Sequence, residues 1–369
     1  MTLPVLPPVA PMLAKPLGNA VPTDGDWLFE PKWDGFRCLL FVDGDQVFVQ
    51  SRSGEDLAYA FPEVVAAARA VLPERVVLDG ELVIAREGRL WFELLGQRIR
   101  PRSEAGGWKI DELAAQYPAS YVAFDILALA DEDLTARPQQ ERRAVLEGVS
   151  LGAPFHLTPM TTDPVAAQGW FEMFEGAGLD GVIAKPPGLP YQPGKRVLAK
   201  IKHSRSADVV VAGWRAHKSP GPAGQPVVGS LLLGLYDEDG VLHNVGVASS
   251  FSAKRRLELV LELEALAVGS DEEHPWRWGQ ADAAGRIPGG PSRWSGGKDL
   301  SFHLLRPELV AEVGYDHMEG TRFRHVTKLL RFRPDRTPAS CTYDQLDTPL
   351  RFELTEVVPG LGAGDASSA

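Results

Sequence analysis

A chain of 369 residues, 44% hydrophobic and 24% charged, has the make-up of an ordinary globular protein and is too long for the usual single core, so two domains are expected. No apolar run approaches the length of a membrane span, and Met1 to Leu17 has no charged start followed by a continuous apolar stretch, so neither a membrane helix nor a secretory signal is expected. The formal net charge of −11 argues against coating nucleic acid by bulk attraction, though not against a local basic groove. Two distant cysteines, Cys38 and Cys341, fit a reducing cytoplasm, and the expectation is a cytoplasmic monomer.

In chain order, Pro4 to Pro16 is too proline-rich for a helix and reads as an extended segment. Phe36 to Phe41 and Gln46 to Ser51 read as a hairpin around Asp43-Gly44, which returns Arg52 towards Lys32. A helix follows over Pro62 to Leu72, then a long strand over Arg75 to Ala85 whose alternation sets Asp79 and Glu81 on one face. Trp91 to Arg100 reads as a short helix and Pro101 to Ala119 as a weakly patterned connection. A strand over Tyr121 to Leu129 should turn Phe124 and Asp125 to opposite faces. Helices over Gln139 to Gly148 and Pro164 to Gly176, the second capped by Asp163, precede strands at Asp180 to Pro186 and Val197 to Lys202. Alternation in the last strand places Lys200 and Lys202 together. Without regular strand-helix alternation, the fold class is α+β with an antiparallel sheet and no doubly wound sheet.

Beyond Lys202 the pattern changes. Short strands at Asp208 to Trp214, Ser230 to Tyr236, Leu242 to Ala248 and Leu309 to Tyr315, with one helix from Ser252 to about Val268, read as a five-strand barrel with a helix. That is the OB fold, a frequent oligonucleotide binder. The expected division is residues 1–203, 204–350 and a tail over 351–369 that is disordered towards its end. A long Gly, Pro and Ser loop from Gly279 to Asp299 carries Arg286, Arg293, Trp294 and Lys298 and is either a disordered insertion or a DNA-contacting loop.

The chemistry centres on Lys32-Trp33-Asp34-Gly35-Phe36-Arg37. A lysine before a turn is ordinarily a solvated surface group, and as a nucleophile it must lose its proton through desolvation or nearby cations. Cations are supplied by Arg196, Lys200, Lys202 and Arg205, and by a second run of Arg322, Arg324, Lys328, Arg331, Arg333 and Arg336 broken only by Asp335. No phosphate-binding Gly-x-x-x-x-Gly-Lys-Ser/Thr loop occurs, and the eight histidines lack zinc spacing.

The Lys32 segment resembles the Lys-x-Asp-Gly-x-Arg nucleophile motif of the covalent nucleotidyltransferase superfamily. The resemblance continues in order through Ser51-Arg52-Ser53-Gly54, Leu78-Asp79-Gly80-Glu81, Phe124-Asp125-Ile126-Leu127, Asp180-Gly181-Val182-Ile183-Ala184-Lys185, Lys200-Ile201-Lys202 and Arg333-Pro334-Asp335-Arg336. Within the superfamily the chain is most similar to ATP-dependent DNA ligases, and among these to the small actinobacterial C-type ligases.

The resemblance implies an ATP-grasp-like nucleotidyltransferase domain followed by an OB domain, joined by a hinge near His203 to Ala207. It implies that Lys32 takes AMP from ATP, passes it to the 5′-phosphate at a nick in duplex DNA, and leaves the 3′-hydroxyl to displace AMP. Lys200 and Lys202 would assist Lys32, with Asp34 holding its loop. Glu30 would read the adenine edge and Phe124 would stack on the purine. Arg37, Arg52 and Glu81 would contact ribose or phosphate, with Lys185 also in the nucleotide site. Arg333, Asp335 and Arg336 would meet the departing pyrophosphate when the OB domain closes. Glu81 and Asp180 would hold magnesium or manganese.

Two departures from the family pattern stand out: Asp180 occupies a place where glutamate is common, and Arg336 one where lysine is frequent. Repair-pathway proteins are the partners the resemblance suggests. The competing readings are an RNA ligase or mRNA-capping guanylyltransferase of the same superfamily, and a non-catalytic OB-type DNA-binding protein.

Overall fold

The computed structural model describes residues 1–99, 107–269, 272–277, 288, 301–347 and 349–362. They form two compact units, Met1–His203 together with Pro349–Ala369, and Ser204–Thr348.

The first unit is built on two sheets. In the larger, strands Phe155–Leu157, Ser120–Leu129, Arg75–Val83, Phe36–Asp43 and Gln46–Ser51 lie side by side in that order, with Glu132–Asp133 added beside Ser120–Leu129. The hairpin forms because Gly44 adopts φ +57°, a left-handed turn that pairs Asp43 with Gln46. Phe36–Asp43 is central and apolar on both faces. Cys38, Leu40 and Val42 point towards the Pro62–Val71 helix, whereas Leu39 and Phe41 join Leu3, Val5, Met12 and Leu198 on the other side.

The smaller sheet runs Leu13–Pro16, Arg196–Ile201, Val182–Lys185, Leu28–Pro31. Two pairings depart from a purely antiparallel arrangement: Leu13–Pro16 lies parallel to Arg196–Ile201, and Phe155–Leu157 parallel to Ser120–Leu129. Part of the proline-rich start is therefore a strand, and Pro16 sits at its end on the sheet edge, where a missing N–H is tolerated. The stretch expected as a bare connection contains a helix, Gly107–Gln116, with Ile110 and Ala114 buried.

Residues 351–362, expected as tail, lie against this unit, with Leu354, Val357, Val358 and Leu361 buried beside Trp33, Leu90 and Phe174. Leu354 and Val357 come from a short helix, Leu354–Val357, and Val358 follows it in extended backbone.

The second unit is a five-stranded sheet in the order Leu242–Ala248, Val228–Tyr236, Arg205–Ala216, His303–Tyr315, Lys328–Phe332. One helix, Ala253–Glu264, is capped by the Ser252 side chain accepting from the Arg255 N–H, and it buries Leu259 and Leu263. This is OB-like, but the expected barrel does not close among the described residues. The two outer strands meet only at an isolated bridge between Ala248 and Thr327. The last strand exposes Lys328 and Arg331, the charged character of an edge. Apart from Pro288, the loop at 279–299 lies outside the described residues. Among the described residues, no helix is long and apolar enough to cross a membrane.

Candidate active site

The Leu28–Pro31 strand pairs antiparallel with Val182–Lys185, and so delivers the Lys32 turn beside Asp180 and Gly181. The Lys32 N–H donates to Gly181 O at 2.8 Å and the Asp180 N–H donates to Lys32 O at 2.8 Å. Lys32 Nζ contacts Asp180 Oδ2, and Lys202 Nζ reaches the same oxygen at 2.7 Å. Burial would raise the Asp180 carboxyl, but the two ammonium groups outweigh it and hold it below its ordinary range.

Two glycines permit this closeness. Gly181 has φ +119°, and a Cβ there would lie 2.1 Å from Ile201 O; a Cβ on Gly35 would lie 2.1 Å from Leu82 O and 2.9 Å from Glu81 Cγ. The Gly35 N–H instead donates to Glu81 Oε1 at 3.2 Å.

Lys32 lies at the wall of a cavity of about 220 Å³ between the two sheets, which Glu30, Arg37, Arg52, Glu81, Phe124, Lys185 and Lys200 also line. The Glu30 carboxylate is buried and paired with Lys185 at 2.7 Å, with Arg143 Nη1 at 3.7 Å. Burial raises its proton affinity in spite of both cations. Lys185 also donates to Phe124 O at 2.9 Å and lies 5.0 Å from the Phe124 ring centroid.

Arg37 is forked onto buried Asp79, at 3.0 and 2.7 Å, and donates a third bond to Met12 O, while its guanidinium carbon lies 5.3 Å from the Phe124 ring centroid. The Tyr191 hydroxyl donates to the same Asp79 at 2.7 Å. The neighbouring Asp125 carboxylate is directed at Arg142, a fully buried bidentate pair. Arg52 is exposed on the cavity wall, and no ion pair engages it among the described residues.

Glu81 is pushed up to about 7 by burial, opposed by Lys32 and Arg37 and reinforced by Asp79. Among the described residues no group of three or more His, Cys, Asp or Glu could hold a metal ion. Two carboxylates beside one lysine still suit a hard cation that takes its remaining ligands from water and phosphate.

Asp34 is half-buried in the turn and is not among the cavity-lining residues. Arg333, Asp335 and Arg336 belong to the second unit. There Arg333 bonds Asp335 at 2.7 Å and Asp208 at 3.2 Å, and Arg336 Nε lies 3.2 Å from Asp208. The hydrogen bond from Arg333 holds Asp335 at about 2. Tyr191, Arg142 and Met12 were not foreseen. Tyr191 and Met12 lie outside any motif, and nothing local in the sequence marks them as partners of Asp79 and Arg37.

The family model of the ATP dependent DNA ligase domain matches residues 11–202, and that of the ATP dependent DNA ligase C terminal region matches 224–336. DNA ligase C of Mycobacterium tuberculosis is 53% identical over 369 residues, covering 98% of this chain and 100% of that protein. DNA ligase C2 of Mycolicibacterium smegmatis is 53% identical over 355 residues, 95% of this chain and 97% of that protein. A solved Lig E DNA ligase shares the fold, with a TM-score of 0.52 at 17% identity over 88% of this chain and 99% of that one. Near full-length identity to two ligases and two successive ligase-region matches leave no room for a capping enzyme or a bare binding module: the chain belongs to the ATP-dependent DNA ligase family.

Proposed function

We propose that this ligase seals nicks in duplex DNA with Lys32 as its nucleophile. The observation that carries the assignment is the convergence of Lys32 and Lys202 on one Asp180 oxygen, with Lys32 itself on the wall of the cavity between the two sheets. In the first step, Lys32 Nζ, as the free amine with one proton released to solvent, attacks the α-phosphorus of ATP; a P–N bond forms, the bond from the α-phosphorus to the oxygen bridging to the β-phosphate breaks, and pyrophosphate leaves as a second proton is lost from Nζ. Asp180 orients Nζ, and Lys200 and Lys202 offset charge gathering on the α-phosphate oxygens. Phe124 offers its face to the purine, framed by Arg37 and Lys185.

Because the Glu30 carboxylate is committed to Lys185, we assign Glu30, a residue of the cavity wall, to recognition of the adenine edge through its backbone. Glu81 is assigned to a ribose hydroxyl or a cation, and Arg37 and Arg52 to ribose or phosphate. Asp34 is assigned to holding the loop. A divalent cation, magnesium or manganese, would neutralise phosphate charge when bound, and Glu81 and Asp180 are the residues that would hold it.

AMP then passes to the 5′-phosphate of the nick and the 3′-hydroxyl displaces it, with alignment supplied by binding. Arg333, Asp335 and Arg336 are assigned to pyrophosphate in the first step, and the second unit, as an OB module, to the duplex. Repair by a monomeric enzyme, with repair-pathway proteins as its partners, is the cellular role proposed.

The deciding experiment is transfer of α-labelled ATP, with α-labelled GTP in parallel, to purified protein in magnesium or manganese, followed by denaturing electrophoresis. Label from ATP alone, absent in Lys32→Ala, is the expected result. Equal labelling of Lys32→Ala would remove Lys32 from its role, and labelling by GTP alone would overturn ATP as the donor in the first step.

A further inference from the structure

The C-terminal segment 349–362 carries none of the family's motifs and contributes no residue to the cavity wall, yet it is packed into the first unit. Leu354 and Leu361 are completely buried, and Val357 and Val358 nearly so. The Leu354 N–H donates to Gly88 O at 2.7 Å, and the Phe352 ring lies 5.3 Å from that of Phe174. The approach to the turn Phe174–Ala177 is so close that a Cβ on Gly176 would lie 1.8 Å from Leu350 O and 2.7 Å from Phe352 N.

What this segment presses on is specific. One side of its cluster is Trp33, the residue after Lys32; the other is Phe174, Ala177 and Leu179, the run that leads directly into Asp180. Trp33 is pinned from beyond by its indole N–H donating to Thr158 Oγ1 at 2.9 Å. The segment thus shares one buried cluster with both arms of the chain whose tips form the Lys32–Asp180 contact, and it meets the second arm directly at Phe174 and Gly176.

We infer that residues 349–362 act as a positioning element for the Lys32–Asp180 pair, with Leu354 as its central side chain, so that the far end of the chain sets the geometry of the first chemical step. The inference rests on Lys32 being the residue that takes AMP. A loosened segment lets Trp33 and Leu179 shift, and a shift of about 1 Å at a reacting group can cost on the order of 100-fold in rate. Because the segment does not line the cavity, ATP should still bind.

The test uses the full chain with three substitutions. Leu354→Ala loosens the segment from within, Gly176→Ala displaces it from the opposite side without altering it, and Leu354→Met keeps the volume. For each, three quantities are measured well below that variant's own unfolding temperature. These are the self-adenylylation rate at saturating ATP, the KM for ATP, and sealing of a nick already carrying a 5′-adenylate, which needs no attack by Lys32.

The expected result is a fall of about 10-fold or more in the saturating rate for Leu354→Ala and Gly176→Ala. KM and sealing of the adenylylated nick should stay within about 3-fold of wild type, and Leu354→Met should recover most of the rate. Wild-type rates in both disruptive variants would overturn the assignment. Equal losses in adenylylation and sealing would overturn it too, since they would mark a general structural role. Lys32→Ala is run alongside: label retained there would instead overturn the choice of nucleophile, separating the two failures.

Discussion

Lys32 and Asp180 are joined twice, by a backbone hydrogen bond from Asp180 N–H to Lys32 O and by the contact of the two side chains, and the Lys32 N–H also donates to the neighbouring Gly181 O. The amine's immediate neighbour is therefore an acid, and the cation Lys202 reaches it by sharing that acid's oxygen. Asp180→Asn keeps the backbone bonds and removes the charge. Self-adenylylation should drop about 100-fold, in line with loss of one preorganised charged group, measured as label transfer at saturating ATP. An unchanged rate would reduce Asp180 to a structural spacer.

Glu81 gives a pH signature. Its folded-state value of about 7 lies above its ordinary 4.5, so its neutral form is the one folding favours. Its contribution to stability is fully present below about 4.5 and is lost as pH rises through about 7. Between pH 5 and 8, wild type should lose on the order of 2 kcal/mol more than Glu81→Gln in denaturant titrations. Parallel curves for the two proteins would contradict the burial argument.

Arg52, exposed on the cavity wall, is proposed to meet phosphate. Nick affinity should fall steeply with salt, and Arg52→Ala should weaken binding and reduce the slope of log affinity against log salt by about 1. Fluorescence anisotropy on nicked duplex at several salt concentrations decides this; an unaltered slope would place Arg52 outside the phosphate contacts.

Asp125 and Arg142, next in sequence to Phe124 and on the Gln139–Glu147 helix respectively, form a fully buried bidentate pair. Arg142→Met leaves a buried carboxylate without its partner and should cost about 3–5 kcal/mol, whereas the double variant with Asp125→Leu should recover a large part of that. Chemical denaturation of the two single variants and the double variant supplies the cycle.

Arg336→Ala should lower self-adenylylation about 100-fold, as removal of a charge clamp on the leaving group does, while sealing of a pre-adenylylated nick persists. Loss of both activities would remove Arg336 from a role confined to pyrophosphate.

The grouping of the motif residues around the cavity was legible because their signals are local: a turn glycine three residues after a lysine, two lysines two apart at the end of a strand, a carboxylate two residues from another. What sequence did not reveal is held by distant pairing. Asp79 was visible only as a face-mate of Glu81, whereas its bonds to Arg37 and Tyr191 span 42 and 112 residues. The Leu13–Pro16 strand was hidden by its prolines, and its parallel partner lies at the other end of the unit. The Gly107–Gln116 helix follows Gly106 and begins on Gly107, poor helix formers that concealed the apolar pattern of Ile110 and Ala114. The apolar residues Leu354, Val357, Val358 and Leu361 were visible but outweighed by the Gly, Ala and Ser composition that follows them, and only Leu354–Val357 is helical.

That same C-terminal return gives the chain an insertion topology. The path leaves the first unit after His203, whose ring is stacked on Phe171 at 3.9 Å, and comes back at Leu350, seated on Gly176 five residues further along. Exit and re-entry thus rest on one short stretch of helix and turn, and residues 1–203 are not a complete folding unit. Cut there, they expose Trp33, Leu90 and Phe174 to water. Excising 204–348 and joining His203 to Pro349 through a short linker should instead keep Leu354, Val357, Val358 and Leu361 in the first unit's apolar cluster.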